Sequence, residues 1–259
     1  MINLKQESLS DNEQKCILIL GSKSEIAINT AYLFAKNGYN IILSCRQPKE
    51  LKHHCDKINQ KYSVRCYLEE LDILDINQYD DFFKKLSLLP TILFCAVGKM
   101  SSTNLDLNNN GEDLSNIINT NFSSNVYFIE KFVESYVNKY SEINFSIISI
   151  SSVAGERGRA KNYIYGASKS GLTQYLSGLR QKYYNKNLRV ITVKPGFVKT
   201  QMIKNIETPN LLTITPEKMA LIIFRSFLNK KDIVYSPYWR YIMFIVRLIP
   251  EFIFKKLKF

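Results

Sequence analysis

Histidine is nearly absent from this 259-residue chain: there are two, His53 and His54, side by side. Five cysteines (Cys16, Cys45, Cys55, Cys66, Cys95) are scattered with no C-x-x-C pair. Neither residue type has metal-ligand spacing, so no metal is expected. Cys16, Cys45, Cys66 and Cys95 lie in apolar runs that read as buried strands, where free thiols are common. A reducing, cytoplasmic setting is the expectation. The first 14 residues are polar and mixed in charge, unlike a signal or transit peptide, and read as an extension. No basic arm or aromatic-interleaved basic patch accompanies the net charge of +12, so no nucleic-acid partner is expected. Glycine is scarce where it would be most telling. The loop "GSKSEIA" (21–27) follows the apolar run "CILIL" and precedes a helical pattern, yet holds only Gly21.

What is present is a folded-protein composition, 46% hydrophobic and 22% charged. Short runs rich in β-branched residues begin near 16, 40, 63, 91, 145, 188 and 232, and helical stretches separate them. Several runs are apolar throughout, as in parallel strands covered on both faces. The alternation predicts one α/β domain over 15–237, a doubly wound, mostly parallel seven-stranded sheet with helices on both faces. A tail over 238–259 completes the chain.

The strongest chemical signal is "YGASK" (165–169). Tyr165 and Lys169 are four apart at the start of a predicted helix and share one face. Ser152 stands at the end of the predicted fifth strand, where ligands bind in open α/β sheets. A phenol near an ammonium is a plausible acid–base pair.

With these residues the chain resembles the short-chain dehydrogenase/reductase family from about 15 to 237, and the resemblance implies a Rossmann fold. Ser152, Tyr165 and Lys169 match the catalytic serine, tyrosine and lysine, and Asn121 in "NTNFSSN" matches the asparagine of the helix after the fourth strand. The implied chemistry is hydride transfer between NADP, or NAD, and a ketone or secondary alcohol. Tyr165 would move the proton, Lys169 would lower its pKa and hold the nicotinamide ribose, Ser152 would bind the substrate oxygen, and Asn121 would hold a water linking Lys169 to solvent. In the Pro-Gly turn "KPGFVKT", Pro195, Gly196, Val198 and Thr200 are cofactor residues, with the Thr200 hydroxyl meeting the carboxamide. Asp72 would contact the adenine. Gly98 alone survives of the motif N-N-A-G, replaced by Cys95-Ala96-Val97-Gly98.

The family's loop T-G-x-x-x-G-x-G becomes Leu20 to Ala27. Gly21 keeps the first turn, and backbone groups over Ser22, Lys23, Ser24 and Ile26 would meet the pyrophosphate at a helix N-terminus. Glu25 is expected to point to solvent, since an inward charge would oppose phosphate. Cys45 ends the second predicted strand where an acid would favour NAD, and Arg46 follows. Its guanidinium suits a 2′-phosphate, with Lys23 adding charge, so NADP is the expected cofactor.

Arg157 and Arg159, between Ser152 and Tyr165, are candidates for holding an anionic substrate group. The stretch "SSVAGERGRAKNYIYGASK" also resembles bacterial reductases related to decaprenylphosphoryl-2-keto-ribose reductase, which implies a keto-sugar on a polyprenyl phosphate. A soluble acyl or other small carbonyl substrate is the alternative, as is a catalytically silent nucleotide-binding or membrane-peripheral scaffold. The tail "YWRYIMFIVRLIPEFIFKKLKF" is broken by Arg240, Arg247, Pro250 and Glu251, too often to span a bilayer. It reads as an interfacial element, with Trp239 and phenylalanines in the headgroups and Lys255, Lys256 and Lys258 facing anionic lipid. That would place the protein at the inner face of the cytoplasmic membrane. The competing expectation is a contact in a homo-oligomer.

Overall fold

The computed structural model describes residues 15–100 and 111–257; the expected extension over 1–14 and Lys258 lie outside them. The elements run β1 (Cys16–Leu20), α1 (Glu25–Lys36), β2 (Asn40–Cys45), α2 (Lys52–Lys61), β3 (Cys66–Glu70), α3 (Tyr79–Lys85), β4 (Ile92–Cys95), α4 (Gly111–Ile118) and α5 (Ser124–Phe132). There follow β5 (Phe145–Ile150), α6 (Tyr163–Lys182), β6 (Leu188–Lys194), β7 (Phe197–Val198), β8 (Thr213–Ile214), α7 (Pro216–Leu228), β9 (Ile233–Tyr235), α8 (Trp239–Leu248) and α9 (Glu251–Phe254).

Seven strands form one sheet in the order β3-β2-β1-β4-β5-β6-β9, and every neighbouring pair is parallel. The pleat divides β1 cleanly. Ile17 and Ile19 face a core built with α1, α2 and α7 through Phe34, Ile58 and Phe224. Cys16, Leu18 and Leu20 face the opposite core, with Phe82, Phe128, Phe132 and Leu176 from α3, α5 and α6. Burial on both faces is why these strands read as continuous apolar runs. The chain builds outward from β1 to β3 and then returns to β4, so the order reverses between β1 and β4. The crevice at the carboxyl ends of those strands is the site a ligand takes in such a sheet.

The segment 201–220 holds a 3-10 turn (Gln201–Ile203), a second one (Asn210–Leu212), β8 and the start of α7. Pro209 and Pro216 divide it, and Thr215 caps α7 by accepting from the Lys218 N–H. The long helical stretch before β5 is interrupted by π-helical turns at Asn119–Ser123 and Val133–Val137.

The tail is not a separate appendage. Trp239 is 5% exposed, and with Met243 it packs on Val153, Phe197, Leu212 and Tyr235. The Trp239 indole N–H donates to the Leu212 carbonyl at 3.1 Å. Gly196 makes room for the ring, since a Cβ there would lie 2.0 Å from the indole nitrogen. Trp239 therefore points inward, contrary to its expected place among lipid headgroups.

Polar contacts reinforce this packing. The Glu156 carboxylate, 3% exposed, pairs with Lys194 at 2.7 Å and lies 3.6 Å from Arg247 of α8. Tyr235 also donates its hydroxyl to Glu156, and burial with that bond pushes the Tyr235 phenol pKa up. Removing one partner of a buried ion pair leaves the other charge unpaired in low dielectric. Glu156→Ala is expected to lower stability by about 3–5 kcal/mol in urea unfolding. Arg247→Ala, at the half-exposed rim, should cost less than about 1 kcal/mol; equal effects would contradict the assigned burial.

Candidate active site

The crevice is a cleft of about 1330 Å³. Ser152 leaves the end of β5 and opens a 3-10 turn over Val153–Gly155, its hydroxyl accepting from the Ala154 N–H at 3.1 Å. Helix α6 passes against that turn so closely that glycine is needed on both sides. A Cβ on Gly155 would lie 2.7 Å from the Ser170 nitrogen, and one on Gly166 would lie 2.7 Å from the Ala154 oxygen. The contact brings Tyr165 and Lys169 over the end of β5, and all three side chains line the cleft.

Lys169 is 2% exposed and donates to the Ile150 carbonyl at 2.9 Å. Burial pulls its pKa down to about 8. Burial also raises the Tyr165 phenol, while a hydrogen bond from Ser152 opposes the rise. Burial pushes the neighbouring Cys95 thiol up to about 12, a rise that the Lys169 ammonium opposes. Asn121 is fully buried in the π-turn. Its side-chain oxygen accepts from the Lys99 N–H, and its amide donates to the Lys99 carbonyl and to Ser168. With both ends engaged, the side chain braces the segment after β4 against α6.

The loop after β1 keeps its tight turn at Gly21, which has φ +69° and whose Cβ would meet the Val97 nitrogen at 2.9 Å. Lys23, Ser24 and Ile26 line the cleft. Ser22 does not. Its hydroxyl donates to the Ile19 carbonyl and accepts from the Ser44 N–H, and its own N–H donates to the Ser44 carbonyl, so it ties β1 to β2. Glu25 does not point away from the cleft as expected. It lines the cleft and accepts the Gln201 N–H across it at 3.2 and 3.3 Å. Lys23 is neutralised by Glu50 at 2.7 Å, whereas Arg46 is exposed at the end of β2 with no ion pair among the described residues. Asp72, Gly98, Pro195, Gly196, Val198 and Thr200 all line the cleft. The Asp72 carboxylate also accepts from the Leu74 N–H.

The two candidate substrate arginines separate. Arg159 is half-buried in the cleft wall, and among the described residues its guanidinium has no acid or hydrogen-bond partner; burial lowers its pKa. Arg157 points the other way. It donates to the Ile249 carbonyl and to Glu251 at 3.1 and 2.7 Å, and stacks over Phe254 at 4.3 Å. It is a strut for the tail, not a substrate contact. The sequence reading missed Trp239, Phe197, Ile203 and Ile206 as cleft walls. Being the sole tryptophan was the only hint that Trp239 carried, and it was compatible with membrane or core.

Residues 15–210 match the family model described as short chain dehydrogenase. The chain belongs to the short-chain dehydrogenase/reductase family, a family of NAD(P)-dependent oxidoreductases. An uncharacterized oxidoreductase of Mycobacterium tuberculosis is 37% identical over 113 residues, a match spanning 43% of this chain and only 45% of that protein. The 3-oxoacyl-[acyl-carrier-protein] reductase FabG of Rickettsia conorii is 29% identical over 189 residues, 73% of this chain and 74% of that protein. In fold, the chain is similar to a short-chain dehydrogenase from Sphingobium yanoikuyae in complex with NADPH. The TM-score is 0.77 at 18% identity, covering 92% of this chain and 97% of that one.

The Lys169 pKa fixes a pH dependence. A base whose pKa is lowered to about 8 is charged below that pH and neutral above it. Reductive turnover should be level below and decline as pH rises through about 8. A Lys169→Met variant should be slow without that inflection; an unchanged inflection would assign it to another group.

Proposed function

We propose that this protein interconverts a ketone and a secondary alcohol with NADP(H), on a carbonyl compound carrying an anionic group and an apolar chain. A phosphorylated or lipid-linked keto-sugar is such a compound. Arg159 carries the substrate half of this reading. A half-buried guanidinium without a counter-ion among the described residues is costly unless an anion meets it. Phe197, Ile203, Ile206 and Trp239 offer an apolar wall in the same cleft. A tail at the mouth of this cleft also suits a substrate presented at a membrane surface.

The residues fit a dinucleotide phosphate. The Ser22 and Ser24 N–H groups are taken by the Ser44 and Gly21 carbonyls, so the start of α1 is what the loop offers to pyrophosphate. Arg46, exposed and without an ion pair among the described residues, is offered to a 2′-phosphate, while Lys23 beside it is paired with Glu50. The NADPH bound by the Sphingobium structure supports the same choice. When bound, the cofactor supplies or accepts the hydride. Tyr165 delivers the proton to the carbonyl oxygen, which Ser152 holds, and its raised pKa keeps it protonated at neutral pH. Lys169, charged below about pH 8, holds the ribose and returns the proton.

A second reading, reduction of a soluble acyl substrate, is favoured by the likeness to the Rickettsia reductase. The two separate in turnover on a keto-sugar phosphate and on a 3-oxoacyl thioester. A silent scaffold is disfavoured by the convergence of Ser152, Tyr165 and Lys169 in one cleft.

Tyr165→Phe removes the proton donor and keeps the ring. It should cut turnover by about 100-fold or more while NADPH binding persists; near-normal rates would refute the assignment. Arg46→Asp should reverse the ratio of NADPH to NADH binding constants, and an unchanged ratio would remove Arg46 from the cofactor site.

A further inference from the structure

Helix α8 carries two complete apolar stripes. Trp239, Ile242, Met243 and Val246 recur at i, i+3, i+4 and i+7 and pack on the body. Tyr241, Phe244, Ile245 and Leu248 repeat the same spacing on the opposite side, at 74%, 57%, 63% and 66% exposure. A helix lying on a protein in water needs only the first stripe, and its outward side is ordinarily polar. Beyond Pro250, α9 adds exposed Phe252 and Ile253. Leu211, 76% exposed, continues the apolar surface next to Leu212, to which Trp239 is hydrogen-bonded. Contiguous exposed apolar surface of this kind marks an interaction site.

We infer that this face docks on an anionic lipid bilayer. Its charges decide between a bilayer and a second copy of the chain. Arg240, Lys255 and Lys256 are exposed around it. The tail's acid, Glu251, is already paired with Arg157. An isologous contact would set these cations against one another, whereas an anionic headgroup layer neutralises them. No helix among the described residues is long and apolar enough to cross a membrane, so the element lies in the interface with its outer stripe in the acyl boundary. Side-chain contacts tie it to the body. Arg157 grips Ile249 and Glu251, and Glu156 faces Arg247, so the loop that follows Ser152 anchors the docking helices. Met202 and Ile206, both exposed, add apolar side chains to the cleft lining that includes Trp239 of α8. A substrate with its chain in the bilayer could then reach Tyr165 without leaving it.

The test uses the full chain and does not depend on turnover, so it stands or falls apart from the substrate reading. Truncation is unsuitable because Trp239 is a cleft wall. Vesicles of phosphatidylcholine with phosphatidylglycerol, and of phosphatidylcholine alone, are sedimented with the wild type, Phe244→Ser/Leu248→Ser and Lys255→Glu/Lys256→Glu. Wild type should pellet with the anionic vesicles, less so at high salt. The serine variant should bind at least about tenfold more weakly, and the glutamate variant should lose the preference for anionic lipid. Thermal melting and NADPH binding should match wild type in both. Absence of wild-type pelleting, or equal pelleting by the serine variant, would overturn the proposal. So would a smaller sedimenting mass for that variant without lipid, which would give the face to a second copy.

Discussion

The approach of α6 to the turn after β5 governs this site. Gly155 and Gly166 let the two backbones meet where any side chain would put a Cβ 2.7 Å from a main-chain atom. The contact is reinforced from below, where the Ser151 hydroxyl bonds the Lys169 carbonyl and Thr173 at 3.0 and 2.6 Å. Held this way, Lys169 reaches the Ile150 carbonyl at the end of the same strand that delivers Ser152. A buried ammonium would otherwise deprotonate or force the helix away. Its carbonyl partner, and the packing of Leu172, Leu176 and Leu179 of α6 into the core, keep it in place at a lowered pKa.

The loop from Val153 to Arg159 joins two tasks. Its start forms the turn on which α6 rests, and Arg159 at its end lines the cleft. Glu156 and Arg157, between them, reach in the other direction to β6, β9 and the tail. Displacement of α8 would therefore be felt at Val153, against which Trp239 packs, and at the wall of the cleft.

Across the cleft, Glu25 compensates for the glycine it replaces. A carboxylate at the first turn of α1 suits the helix dipole but opposes phosphate. Its hydrogen bonds to the Gln201 N–H draw the charge towards the backbone that follows Thr200. The loop after β1 and the segment after β7 are thereby linked through Glu25.

The sequence alone determined the sheet, its parallel sense and the helix face that Tyr165 and Lys169 share. Strands buried on both faces leave continuous apolar runs, and Tyr165 and Lys169 share a helix face because four residues make about one turn. Such signals are local and periodic. What tertiary structure decided depends on residues far apart in the chain. Arg157 meets Glu251, Glu25 meets Gln201, and Gly196 accommodates Trp239. None of these pairs has a period or a spacing to betray it. Ser22 and Arg157 carry side chains suited to a ligand, yet hydrogen bonds turn one into β2 and the other onto the tail. Residue type states what a side chain can bind; only the fold decides which partner reaches it first.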